Sequence, residues 1–312
     1  MRAITVTEYG APPALTEVPD PQLGQGQVLI KIEAAGINPM DRAIANGGWK
    51  EMMPASFPLI LGADLAGVVE AVGESAGRFP PGEQVFGQLM IAPLGSTGTY
   101  AEQVAAAEDA PLAPLPPGLE PSVAASLPTP GVTALEIVES LEPLAGKTVL
   151  MVGAAGGVGS FATQLAANAG AHVITVARAS ADQRMRDYGA AQTLDHTAVS
   201  VPDTVRQTHP DGIDALVDVA SDAEGFAGLA SLVRPGGTAL TTRYVADPEA
   251  LASREVVGVN FRVNMSSGSL EQVADAVVSG RIVPPPISRV ELNDVPALNG
   301  SAHAEGKTVI IP

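Results

Sequence analysis

Val149-Leu-Met-Val-Gly-Ala-Ala-Gly-Gly-Val-Gly-Ser160 is the stretch that decides the fold of this 312-residue chain. A largely apolar run from Thr148 to Val152 ends in a glycine-rich turn, and the Ala-rich sequence from about Ser160 to Ala169 predicts a helix opening from it. A strand feeding such a turn lets backbone N–H groups approach a pyrophosphate, which then sits at a helix N-terminus. The dinucleotide fingerprint is G-x-G-x-x-G. This chain reads Ala154-Ala155-Gly156-Gly157-Val158-Gly159, so the first glycine is missing and Gly153 and Gly157 are left to supply the backbone freedom. Ala154, Gly156, Gly157, Val158 and Gly159 are therefore the expected phosphate cradle. Gly-rich strand–helix turns also serve plain close packing, so the surrounding sequence has to arbitrate.

A second strand pattern, His172-Val-Ile-Thr-Val-Ala177, follows about one crossover helix later. In an NAD-specific site an acidic residue near its end, about 20 residues past the turn, grips the ribose 2′-hydroxyl. Here the sequence reads Val176-Ala177-Arg178-Ala179-Ser180, with Arg184 close behind and no carboxylate. A guanidinium suits a phosphate dianion through planar two-pronged donation, which favours NADPH over NADH. Arg178, Ser180 and Arg184 are the expected 2′-phosphate contacts. Alternatively, Ser180 and Gln183 form a capping box for the next helix, and the arginines are simply solvated.

The chain is 46% hydrophobic, enough for a large core and two domains, but only 4% aromatic, so that core rests on Ala, Val, Leu and Ile. A formal charge of −17 and a pI near 4.5 disfavour nucleic acid and anionic membranes as partners. The absence of cysteine excludes disulfides, thiolate zinc sites and cysteine nucleophiles. The opening Met1-Arg-Ala-Ile-Thr-Val-Thr-Glu8 has a strand pattern, not a signal pattern, and no apolar stretch reaches membrane-spanning length. The chain reads as cytoplasmic.

Residues 1 to about 110 show short β-like runs broken by Gly and Pro, among them Val28–Glu33, Leu65–Val72 and Glu83–Phe86. Five prolines and a glycine between Ala110 and Pro121 mark a boundary. Helix-like sequence runs from Pro121 to Leu127, breaks at Pro128–Gly131 and resumes from about Thr133 to Leu141. From Lys147 onward, candidate strands at 147–152, 172–177, 191–195, 214–219, 237–242 and 256–261 alternate with helix patterns, which predicts an α/β fold with a doubly wound parallel sheet. At Ser269–Ser279, the residues Leu270, Val273, Ala274, Val277 and Val278 form one stripe, with Ser269 and Gln272 as the expected cap. The final Lys307-Thr-Val-Ile-Ile-Pro312 is a strand expected to return to the first domain.

These stretches together resemble the medium-chain dehydrogenase/reductase superfamily, in its zinc-independent quinone oxidoreductase branch. The markers are Ala35-Gly-Ile-Asn-Pro-Met-Asp41, Leu61-Gly-Ala-Asp-Leu-Ala-Gly-Val-Val69, Pro81-Gly-Glu-Gln-Val-Phe-Gly87, Gly98-Thr-Tyr-Ala-Glu102, Ala154–Gly159 and Arg234-Pro-Gly-Gly237, in that order. The resemblance implies a GroES-like, mostly β catalytic domain over 1–120, completed by 285–312, and a Rossmann domain over 121–284 with an active-site cleft between them. It also implies NADPH-dependent reduction of quinones or other α,β-unsaturated carbonyls by homodimers or homotetramers. Zinc-dependent relatives carry His-Glu where this chain has Ala63-Asp64. The histidines His172, His196, His209 and His303 show no ligand spacing, so no metal is expected.

Several residues match family positions, and each has a plainer structural reading. Asn38 matches the cleft asparagine and could donate its amide N–H to an oxyanion; Asn-Pro is also a common turn starter. Asp41 either orients a cleft side chain or water, or caps the segment Arg42–Asn46. Thr133 matches a threonine near the nicotinamide, or simply starts a helix. Trp49 could stack on a quinone, or anchor its loop. Tyr100 lines the substrate cleft or belongs to the core. Val219, Phe261 and Val263 match positions near the nicotinamide ribose and carboxamide, and His196 a residue near the adenosine. Two other readings use the same turn: a noncatalytic NADPH-binding or structural protein, and an enoyl reductase acting on a carrier-bound acyl chain.

Overall fold

The structure, a computed structural model, describes residues 1–298 and 305–312, so His303 lies outside the described residues. The chain forms two compact units, Met1–Val132 with Met265–Pro312, and Thr133–Asn264.

The first unit opens with β1 (Arg2–Val6), β2 (Ala14–Glu17), β3 (Gln27–Gly36), α1 (Pro39–Ala45), β4 (Leu59–Ile60), β5 (Asp64–Val72), β6 (Gln84–Gln88), β7 (Gln103–Ala107), β8 (Leu112–Pro114) and α2 (Pro121–Ala124). The alternation in β3 buries Val28, Ile30 and Ile32 in a core shared with Leu65, Val85, Val104 and Ile310. Helix α2 is shorter than the sequence predicts, and Pro128–Val132, expected as a break, winds into a π-helical turn.

The second unit holds α3 (Thr133–Ser140), β9 (Thr148–Val152), α4 (Gly157–Asn168), β10 (His172–Val176), α5 (Asp182–Asp187), β11 (Gln192–Leu194), α6 (Val201–Thr208), β12 (Ile213–Asp218), α7 (Ala223–Ala230), β13 (Val233–Thr241), α8 (Pro248–Ala252) and β14 (Val257–Asn260). The strands form one parallel sheet in the order β11-β10-β9-β12-β13-β14. This is the doubly wound arrangement, with its switch point beside β9. Helix α4 starts at Gly157, three residues before the alanine pattern suggests, because the glycines themselves form its first turn.

The chain then returns to the first unit through α9 (Ser267–Val278), β15 (Ile287–Glu291) and β16 (Lys307–Ile311). The expectation of 121–284 as one domain gives way here: residues 121–132 and 265–284 pack with the first unit. Arg78 donates to the Ser267 hydroxyl at 2.9 Å, and α9 packs against β8 and the π-helical turn. The α9 cap is Ser266, whose hydroxyl accepts the Ser269 N–H at 3.1 Å. Ser269 sits one turn inside, and Val278 is exposed while Ala276 is buried. Strand β16 pairs antiparallel with β3, Val309 opposite Gly36, which brings Lys307 beside Asn38.

Candidate functional site

In the second unit, Leu194, Val176, Val152, Asp218, Thr241 and Asn260 lie in one register row at the carboxyl edge of the sheet. In this fold class ligands bind beyond that edge. Gly153, Arg178, His196, Val219 and Phe261 all lie one or two residues past the row, so residues far apart in sequence reach one edge. Val263 follows three residues beyond Asn260.

Gly153 takes φ +80°, and Ala154, fully buried, needs no such freedom. The missing first glycine is thus replaced by the residue before it. At Gly159 a Cβ would lie 2.3 Å from Gly153 O and 2.6 Å from Ala154 Cα, so this glycine allows the helix to approach the strand. At Gly156, with φ −81°, a Cβ would meet Gly153 O alone, at 3.4 Å. No side chain caps α4, and the first-turn amides of Gly157, Val158 and Gly159 have no intrahelical acceptor. The turn therefore presents donors and open space, which fits a pyrophosphate.

Val219 packs onto this turn, its Cγ2 lying 2.9 Å from where a Gly153 Cβ would stand. Arg184 donates a long hydrogen bond of 3.5 Å to Ala155 O, and Arg178 is exposed just past β10. Ser180 lies in a short 3₁₀ turn, Ala179–Ala181, that runs straight into α5, whose N-cap position is Ala181; the expected Ser180–Gln183 capping box does not start that helix. The Asp195 carboxylate beside the end of β10 is held by the Thr197 N–H and hydroxyl and by the Ala179 N–H. His196 is exposed. Asp218, absent from the expected set, is buried and accepts the Ala220 and Ser221 N–H groups, fixing the turn that carries Val219. Thr133 is buried at the start of α3.

In the first unit a buried polar cluster gathers around Asp64. Its carboxylate accepts the Thr129 N–H at 3.1 and 3.2 Å, the Thr129 hydroxyl at 2.6 Å and Asn38 Nδ2 at 2.9 Å, with Lys307 Nζ at 3.8 Å. Lys307 also donates to Ile37 O at 2.8 Å and to Asn38 Oδ1. Gln88 donates to Thr129 at 2.6 Å. Burial outweighs mutual attraction in this pair, raising Asp64 and lowering Lys307 from their ordinary values. The cluster joins β5, β6, β16 and the π-helical turn to the entrance of α1.

Asn38 is the N-cap residue of α1, and Asp41 is its N3 residue, not its cap. Asp41 Oδ2 accepts the Asn38 N–H at 2.7 Å and the Tyr100 hydroxyl at 2.6 Å. Both ends of the Asn38 amide are thus engaged, and its remaining Nδ2 hydrogen has only a long 3.4 Å contact with Gly36 O. Burial pushes the Asp41 carboxyl up to about 7, against the donors Tyr100 and Asn38. Burial and the adjacent Asp41 raise Tyr100 well above the usual phenol range. Tyr100 is 3% exposed and lies in the core, bonded to Asp41. Trp49 is half-buried against the same core. Sequence reading missed Asp64, Thr129 and Lys307, which assemble only through strand pairing.

A catalytic zinc does not fit these residues. Ala63 offers no donor, Asp64 is already bound, and among the described residues no three His, Cys, Asp or Glu side chains converge. No described helix is long and apolar enough to cross a membrane.

The alcohol dehydrogenase GroES-like domain matches residues 24–117, and the zinc-binding dehydrogenase domain matches residues 157–278. The chain is 31% identical to the quinone oxidoreductase of Homo sapiens, over 86% of this chain and 78% of that protein. It is 30% identical to the chloroplastic NADPH-dependent alkenal/one oxidoreductase of Arabidopsis thaliana, over 100% of this chain and 80% of that protein. The solved quinone oxidoreductase from Coxiella burnetii superposes with a TM-score of 0.86 at 26% identity, covering 100% of this chain and 99% of that one. By the order of its elements, its glycine turn and these relatives, the chain belongs to the medium-chain dehydrogenase/reductase superfamily, in the quinone oxidoreductase branch.

Proposed function

We propose that this chain is an NADPH-dependent oxidoreductase that reduces quinones or other α,β-unsaturated carbonyls without a metal. The observation that carries this reading is the open position at Gly156 beside the uncapped amides of Gly157–Gly159, backed by Arg178 and Arg184, with Asp195 beside the end of β10 held by Ala179 and Thr197. Ala154 and Gly156–Gly159 would hold the pyrophosphate, Arg178, Ser180 and Arg184 the 2′-phosphate, and His196 the adenosine edge. Val219, Phe261 and Val263 would flank the nicotinamide half. When bound, the nicotinamide supplies the hydride; the chain's task is binding, orientation and exclusion of water.

Asn38 and Asp41 take a positioning role in this reading, supported by the occupied amide of Asn38 and the buried carboxyl of Asp41. Lys307 and Asp64 grip opposite ends of the Asn38 amide and fix its orientation, which preorganises the loop at 36–41. Thr133 is the candidate contact nearest the ring, and Trp49 and Tyr100 serve packing. The human and Arabidopsis relatives named above motivate the acceptor class. A homodimer or homotetramer is in keeping with the edge strand β14, where Val257 is 57% exposed. The location that fits this chemistry is the cytoplasm.

The test mixes purified protein with NADPH and panels of quinones and enones, following absorbance at the nicotinamide band. Turnover with at least one acceptor is expected, and none with any acceptor overturns the reading. Arg178→Ala with Arg184→Ala should weaken NADPH binding by roughly tenfold or more while leaving NADH nearly unchanged. Equal loss for both cofactors removes the 2′-phosphate assignment.

A further inference from the structure

Beside the polar cluster lies a small cavity of about 20 Å³, lined by Asp41, Ile44, Leu59, Leu61, Ala63, Leu89 and Thr97 among others. One water needs about 10–15 Å³ of such space. Asp41 spends Oδ2 on Asn38 and Tyr100, whereas its Oδ1 is buried and accepts no hydrogen bond from the described residues. Thr97 Oγ1 is likewise buried, with no hydrogen bond to the described residues. Two residues that each hold a polar oxygen with unused capacity thus line one cavity, and a buried oxygen left without a hydrogen-bond partner is destabilising. Thr97 and Ile60 also line a second, larger surface groove of about 240 Å³, together with Gln22, Gln27, Ser96 and Gln103. The segment carrying Thr97 is therefore the wall between the groove and the cavity.

We propose that the cavity is a one-water site bridging Asp41 Oδ1 and Thr97 Oγ1, and that it is the port through which buried Asp41 exchanges its proton with solvent in the groove. With Asp41 protonated, its Oδ1–H donates to the water, because Oδ2 is taken up by Asn38 and Tyr100, and the water donates to the Thr97 hydroxyl, which donates to solvent. On ionisation the Asp41 proton passes to the water, the water passes one of its own to Thr97 Oγ1, and Thr97 releases its proton to a solvent water in the groove; the bound water then donates to the Asp41 carboxylate. The charged and titratable groups facing Asp41 are Tyr100, bonded to it, Asp64 from β5 and Lys307 from β16. Asp64 opposes ionisation of Asp41 and Lys307 favours it, and burial places the titration near neutrality. Because Asp41 also accepts the Asn38 N–H, its charge governs how firmly the loop at 36–41 is held.

The test needs neither cofactor nor turnover, so it stands or falls apart from the proposed activity. A high-resolution crystal structure should show one water within hydrogen-bond distance of both oxygens. Infrared difference spectra across neutral pH should show a protonated-carboxyl band that Asp41→Asn removes. Transfer to D₂O should shift that band, about tenfold more slowly in Thr97→Val than in the parent, with the parent rate restored in Thr97→Ser. A cavity without the bridging water, a missing Asp41 band, or exchange as fast in Thr97→Val as in the parent overturns the proposal.

Discussion

The two units bury polar groups in opposite ways. At Gly157–Gly159 the polar atoms are backbone amides at a helix start, left without a side-chain cap beside the open position of Gly156. Around Asp64 they are side-chain charges closed upon one another, with Lys307 and Asp64 nearly inaccessible. The first arrangement is sensitive to added bulk, because its function depends on how closely another backbone or a phosphate can approach. The second is sensitive to the loss of a partner, because each buried charge stands on the others.

The largest effect should come from Lys307→Met, which leaves Asp64 as a buried charge without its cation. A stability loss of about 3–5 kcal/mol is expected, read as a fall in the denaturant midpoint. Adding Asp64→Asn to that variant should recover part of the loss. A single variant as stable as the parent would mean the cluster is not closed.

Next comes the pH dependence. Asp41 titrates near 7 when folded and near 3.8 when unfolded, so between these values the native chain holds the extra proton. Its contribution to stability is therefore full below about 4 and is lost as pH rises toward 7. Denaturation of the parent should show this downward slope, and Asp41→Asn should flatten it. An unchanged slope would place the titration elsewhere.

Gly159→Ala probes the other unit. Its methyl group would enter backbone at 2.3 Å, forcing α4 away from β9, with an expected loss of about 1–3 kcal/mol in thermal unfolding. The smallest effect tests the cap of α9: Ser266→Ala should cost about 1 kcal/mol, and Ser269→Ala clearly less. The reverse order would restore the cap suggested by periodicity.

That last case shows how far the sequence is legible. The strand at 148–152, the glycine turn and the alternation after Lys147 are local patterns, and the parallel sheet follows them closely. The α9 cap slipped by one turn because Ser266, Ser267 and Ser269 are chemically equivalent in sequence; only the helix geometry selects one. That Arg178, His196, Val219 and Phe261 reach one edge of the sheet was legible because each follows a strand end, and parallel register aligns strand ends. Lys307, Asp64 and Thr129 were not. They meet through the pairing of β16 with β3 and a π-helical turn, contacts spanning up to 270 residues that no local pattern encodes. For the same reason Asn38 read as a free donor, although Asp64 and Lys307 occupy both ends of its amide.

The claim on which the functional account rests is that a pyridine dinucleotide lies against the turn at 153–160. Titration calorimetry of NADPH into the parent and into Gly156→Val tests it most directly, since the backbone there is compatible with any side chain and the added Cβ meets little protein. The account predicts one bound NADPH per chain in the parent, and a folded Gly156→Val whose affinity falls at least about tenfold, or 1.4 kcal/mol. No NADPH binding to the folded parent, or undiminished binding to the variant, would contradict it.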